Sequence, residues 1–87
     1  MYVIITYDVG IERVNKVRIF LKQYLNWVQN SVCEGELTKS EFVKVKLGLE
    51  KIIKKDYDSV FIYRVRDKLF IEFDELGTRK SFIDKII

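Results

Sequence analysis

The chain opens on a run of strand formers, Tyr2-Val3-Ile4-Ile5-Thr6-Tyr7, that stops at Asp8. Apolar on both faces as far as Thr6, the run predicts a strand in the middle of a sheet. After Gly10 the period changes. Val14, Val17, Leu21 and Leu25 recur at helical spacing, and Glu12, Arg13, Asn15, Lys16, Lys22 and Gln23 take the other sides. This predicts an amphipathic helix from Ile11 to Tyr24 laid on the sheet. Residues 27–37 lose the helical period and exceed one average strand. They predict two strands, or one strand kinked near Asn30–Ser31, with Gly35 as a candidate bulge.

Thr38-Lys39-Ser40-Glu41 is a capping-box sequence, in which the Thr38 hydroxyl and the Glu41 carboxylate satisfy each other's backbone amides. The helix it starts buries Phe42, Val45, Leu49, Ile52 and Ile53, leaves Lys44, Lys46, Glu50, Lys51, Lys54 and Lys55 wet, and ends at Asp56-Tyr57-Asp58. From Ser59 to Arg66 the alternation returns, with Val60 and Ile62 on one face and Phe61, Tyr63 and Val65 on the other. Asp67-Lys68 reads as a turn or crossing, and Leu69, Ile71 and Phe73 share one face of a further strand. Beyond Thr78, Phe82, Ile83, Ile86 and Ile87 fall at helical intervals.

The order is β-α-β-β-α-β with an extra C-terminal strand: an α+β, ferredoxin-like plan of four antiparallel strands with two helices on one face. The other face of the sheet is bare in a single copy. Eighty-seven residues without proline make one domain, 1–87, and 48% of them are apolar, which is rich for a chain whose core is marginal by size. A homodimer joined face to face would bury the surplus. The residues from about 68 onward are expected to pack on the partner subunit.

The single Cys33 excludes an internal disulfide, no stretch reads as a signal peptide, and no apolar run reaches the ~20 residues of a membrane span. The expectation is a cytoplasmic protein. The net charge of +3 is a weak pointer to nucleic acid beside the plain alternative of a mixed solvated surface. With no His, Cys33 has no base to activate it, and neither a zinc-ligand set nor a phosphate-cradling glycine loop can be assembled.

Asp8 remains. A strand that delivers a carboxylate to its own end can present a hard oxygen ligand for Mg²⁺ or Mn²⁺; the same residue can equally cap the turn into the helix that follows. Tyr7, alternating with Asp8, points to the opposite face and reads as packing. Arg13 and Lys16 near the start of the first helix, and Arg64 and Arg66 on one face of a strand, are candidate phosphate contacts beside their ordinary readings as solvated helix surface and salt-bridging strand residues.

Three segments carry a family resemblance: Tyr7-Asp8-Val9 after the first strand, Val28-Gln29-Asn30-Ser31-Val32-Cys33-Glu34-Gly35-Glu36-Leu37 before the second helix, and Asp58-Ser59-Val60-Phe61-Ile62-Tyr63 after it. In order and spacing over residues 1–66 they resemble the small CRISPR-associated endoribonuclease family, the subunit that pairs with the CRISPR integrase during spacer acquisition. The resemblance implies a ferredoxin-like homodimer whose last strand crosses to the partner's sheet. It implies a metal-dependent endonuclease acting on RNA or DNA, with Asp8 of both copies at the dyad. It further implies that the dimer binds duplex DNA beside the integrase, with Arg13 or Lys16 matching a basic position of the family. A non-catalytic dimer that only scaffolds the integrase is the alternative. Two positions depart from the family: Trp27 stands where a base often precedes Val-Gln, and Cys33 stands where Phe is usual.

Overall fold

The opening run becomes β1 (Tyr2–Asp8), followed by α1 (Ile11–Lys22), β2 (Asn26–Gln29), β3 (Val32–Glu36), α2 (Lys39–Ile52) and β4 (Ser59–Val65), in a computed structural model that describes residues 1–77. The four strands form one antiparallel sheet in the order β2-β3-β1-β4. β1 and β2 flank α1 and are separated in the sheet by β3, which is the split βαβ arrangement expected of this element order.

The sheet's two faces differ because β1 alternates between them. Val3, Ile5 and Tyr7 turn toward the helices and are buried with Val17 and Leu21 of α1, Val45 and Leu49 of α2, and Cys33 and Leu37. Ile5 and Leu21 are fully buried; such side chains each supply about 1.5–3 kcal/mol of transfer free energy. The opposite face carries Ile4, Thr6 and Asp8, paired with Tyr63, Phe61 and Ser59 of β4. Among the described residues no α-helix covers it; Lys68 stands over the Tyr2 ring at one end, and Phe61 and Tyr63 stay about three-fifths exposed, at 60% and 58%.

The turn expected near Asn30–Ser31 joins β2 and β3, with Asn30 in the left-handed region at φ 43°. The Trp27 indole Nε1 donates to the Asn30 carbonyl at 2.7 Å and braces it. The bulge lies elsewhere than expected: the register slips between Trp27 and Gln29 in β2, not at Gly35. Gly35 answers a different need. A Cβ there would stand 3.1 Å from Leu25 Cδ2, so the missing side chain lets the chain entering β2 approach β3.

The capping box at the start of α2 forms as expected: the Glu41 amide donates to Thr38 Oγ1 at 3.1 Å and the Thr38 amide to Glu41 Oε1 at 2.9 Å. The extra strand does not. Asp67 Oδ1 accepts from the Leu69 amide at 3.0 Å and its carbonyl accepts from Phe70, which winds Lys68–Phe70 into a single 3₁₀ turn. Residues 71–77 then join no strand of this chain's sheet, and Leu69, Phe70 and Phe73 remain exposed. The Leu69 and Ile71 amides are already engaged within the turn, by Asp67 Oδ1 and the Lys68 carbonyl. The helical pattern beyond Thr78 lies outside the described residues.

Candidate active site

Asp8 ends β1 on the uncovered face, opposite Ser59, and its side chain is exposed. It does not cap α1. The N-cap is Gly10, with no side-chain cap bond, and the Asp8 side chain makes no hydrogen bond or ion pair among the described residues. Both carboxylate oxygens are therefore available to a ligand. They stand at one end of a face that carries Ile4, Thr6, Phe61 and Tyr63 in its middle and Tyr2, Glu34 and Glu36 toward its other end. Tyr7 turns the other way and is 5% exposed, and burial pushes its hydroxyl's pKa up. It packs in the core.

Metal chemistry needs more than one such group. Among the described residues no cluster of three or more His, Cys, Asp or Glu could hold an ion. Asp8 alone offers a divalent cation one hard oxygen ligand, too few for this chain to hold the ion by itself.

The turn beyond Asp8 is fixed by a residue 48 positions further along the chain than Gly10. Asp58, immediately before β4, accepts from the Gly10 amide at 2.9 Å and the Arg13 Nη2 at 2.9 Å on one oxygen. The other oxygen takes Arg13 Nε at 2.6 Å and the Lys54 amide at 2.8 Å. Arg13 completes its set through Nη1 to Glu12 Oε1 at 2.8 Å. Its guanidinium is buried against the core, not spread on the helix surface. Three of its nitrogens already donate to carboxylates, so Arg13 does not take the solvated helix position expected for it.

The Arg13 guanidinium holds the Asp58 carboxyl well below the usual carboxylate range; burial opposes this, and the Lys54 and Gly10 amides add to it. Because the folded value is depressed, ionised Asp58 stabilises the fold fully above the unfolded value of about 4, and that contribution is lost as pH falls through the folded one. Thermal melts followed by circular dichroism should therefore show Tm falling in acid below about pH 4. Asp58→Asn should lower Tm at neutral pH and flatten the acid slope. An unchanged slope would assign the acid sensitivity to other carboxylates.

The remaining basic candidates do not converge on Asp8. Lys16 is exposed on α1. Arg64 faces the helix side, opposite Val3, with its guanidinium 4.9 Å from the centre of the Phe42 ring. It lies five positions along β4 from Ser59, or about 17 Å. Arg66 follows β4 and is exposed. These cations lie around the outside of the protomer, not in one pocket.

The family model of CRISPR associated protein Cas2 matches residues 1–72. The chain belongs to the Cas2 family. A relative from Methanosarcina acetivorans, named CRISPR-associated endoribonuclease Cas2, is 54% identical over 87 residues, the whole of both chains. One of the same name from Pyrococcus furiosus is 53% identical, again over the whole of both. A crystal structure of Cas2 superposes with TM-score 0.84 at 48% identity, over 93% of this chain and 91% of that one. The Streptococcus pyogenes Cas2 structure at pH 6.5 gives TM-score 0.79 at 35% identity, over 88% and 100%.

The two departures from the Cas2 pattern have local explanations. Lys22 of α1 places its Nζ 5.8 Å from the centre of the Trp27 ring, so a cation stands over the position where a base is common. Cys33 is fully buried, and burial pushes its thiol up to about 11, leaving an inert core residue. No helix among the described residues is long and apolar enough to cross a membrane.

Proposed function

We propose that two copies of this chain pair through the uncovered sheet face and bring their Asp8 carboxylates together to hold Mg²⁺ or Mn²⁺. In this reading the dimer is a CRISPR-associated endonuclease that hydrolyses phosphodiester bonds of RNA or DNA. It also bridges duplex DNA beside the integrase subunit when spacers are inserted. The observation that carries the reading is Asp8 itself: exposed, its side chain without a hydrogen bond among the described residues, and set at the end of a sheet face on which a single copy leaves Phe61 and Tyr63 open. The exposed Leu69, Phe70 and Phe73 support a C-terminal strand that finds its edge on the partner's sheet. The cation, where bound, supplies Lewis-acid polarisation of a phosphate or an activated water. The chain contributes the carboxylates, the apolar surround and cations for the backbone. The names of the relatives and the family match favour this activity over other uses of the fold.

A second reading is favoured by the single candidate metal-binding carboxylate per chain and the scattered cations: a dimer that scaffolds duplex DNA and integrase without cutting. A paired assay separates the two. Cleavage and duplex binding are measured on the wild type with and without Mg²⁺, at low and at moderate salt. Phosphate contacts by Lys16, Arg64 and Arg66 from both copies would make affinity fall about a thousandfold between about 50 and 200 mM salt, without sequence preference. Neutralising the three should flatten that dependence. Metal-dependent cleavage supports the enzyme; salt-sensitive binding without cleavage supports the scaffold. Affinity that ignores salt removes the DNA-bridging role from both.

A further inference from the structure

Asp58 is the most heavily bonded side chain in the described part of the molecule, and the chemistry proposed for Asp8 does not use it directly. Its four accepted bonds join three segments that are remote in sequence: Gly10 in the turn after β1, Arg13 in the first turns of α1, and Lys54 beyond the end of α2. The position is informative. Asp58 immediately precedes Ser59, which is the cross-strand partner of Asp8. The Gly10 amide it binds lies two residues beyond Asp8. Asp8 is thus bracketed on both sides: by its ladder pairing to Ser59, and by a tie from Gly10 to the residue before Ser59.

We propose that Arg13 and Asp58 act as a positioning clamp that fixes the turn after β1 and thereby aims the Asp8 carboxylate. The inference rests on the reading of Asp8 as a metal ligand and assigns that site its supporting residues. A weak shared site gains most from such support, because a carboxylate on a mobile turn must be ordered each time the ion binds. Both requirements of a rigid support are met. The guanidinium and the carboxylate are buried, and every buried polar side-chain atom of the described residues has a partner. Gly10 belongs to the same device. A Cβ there would meet Arg13 Nη2 at 2.5 Å, although its φ of −56° suits any residue. What Gly10 supplies is room for the guanidinium.

The geometry also says what cannot replace the clamp. The carboxylate at 58 satisfies two backbone amides besides Arg13, so an exchange of charges, Arg13→Asp with Asp58→Arg, would turn a cation toward two N–H donors. The exchange should not rescue, as it would for a simple ion pair.

The test uses three variants that damage the clamp differently. Asp58→Asn keeps shape and loses charge, Arg13→Lys keeps charge and loses the fork, and Gly10→Ala keeps both and displaces the guanidinium. Each is studied well below its own melting temperature. The first readout is the backbone order parameter of Asp8, Val9 and Gly10 by NMR relaxation, which needs no catalysis. It should drop from the rigid range near about 0.85 toward about 0.6 in the variants. The second is the Mn²⁺ concentration giving half-maximal cleavage, expected to rise about 10- to 100-fold, as for other residues that orient a metal ligand. Unchanged order at Asp8–Gly10 overturns the clamp whether or not the protein cleaves. So does lost order with wild-type Mn²⁺ dependence, since the residues would then only stabilise the fold. Rescue of both readouts by the charge exchange would also overturn it. A wild type that cleaves nothing would sink the nuclease reading separately and leave the order parameters to decide the clamp.

Discussion

Asp8→Asn is expected to abolish cleavage while leaving the dimer whole. Asn keeps the shape and one carbonyl oxygen but gives up the charge that makes the side chain a ligand for a hard cation. Loss of residues that merely orient a metal ligand costs about 10- to 100-fold, so loss of the ligand from both halves of a shared site should cost at least about 100-fold. The fold has no stake in the charge, because the Asp8 side chain makes no hydrogen bond or ion pair among the described residues and caps no helix. Two carboxylates brought together across a dyad repel when no cation separates them. In metal-free buffer the variant dimer should therefore melt at the wild-type temperature or slightly above it. Added Mg²⁺ should raise the wild-type Tm by preferential binding to the folded dimer and leave the variant's unchanged. That pairing of results separates a ligand from a structural residue. Cleavage at the wild-type rate by purified Asp8→Asn would place the chemistry elsewhere or in a contaminant. A protomer that stays single at assay concentration would remove the shared site.

The parts of this molecule that are legible in its sequence are those dictated by local period and local chemistry. The doubly apolar run of β1, the helical stripe of Val17 and Leu21, the Thr38–Glu41 box and the Asn30–Ser31 turn each state their own conformation, and all four form. Arg13 reads wrongly as surface because a charged residue on a helix is ordinarily placed in water. The signal that could have found it is its spacing: 13, 17 and 21 form one i, i+4, i+8 line, and the two apolar members are fully buried. A charge on such a line asks for a buried counter-charge. Asp58, set between a helix end and an apolar strand, is the acid on offer; that it comes from 45 residues away is what sequence alone does not show. The extra strand shows a different limit. Leu69, Ile71 and Phe73 do alternate, but alternation states only which side chains share a face, not which edge they pair with, and the Asx turn at Asp67 winds the first of them into a 3₁₀ turn.

Replacing Gly48 by Ala is expected to lower the melting temperature, even though helix propensity alone favours the alanine. Gly48 lies inside the 14-residue α2, where glycine is ordinarily worse than alanine by about 1 kcal/mol. A Cβ at that position, however, would overlap the ring of Phe20 on α1. The ring has little freedom to yield. It packs at 60° against Tyr24 with centroids 5.5 Å apart, a contact worth about 0.5–1.5 kcal/mol. Forcing atoms into an occupied contact costs about 1–3 kcal/mol. The clash outweighs the propensity, and a net loss of about 1–2 kcal/mol corresponds to a drop of about 5–10 °C in a domain this size. Circular-dichroism melts of Gly48→Ala alone and with Phe20→Leu test the reasoning. Once the ring is gone the substitution should become neutral or stabilising, a change of sign that only a direct steric coupling produces. A higher Tm in Gly48→Ala alone would show that the ring moves freely and that the helices do not depend on this approach. The point bears on the site as well as the core. Phe20 and Arg13 lie on the same helix, two turns apart, one against α2 and the other against the residue that leads α2 into β4. A wedge at Gly48 should loosen both ends of that contact, and with the second end goes the support under Asp8.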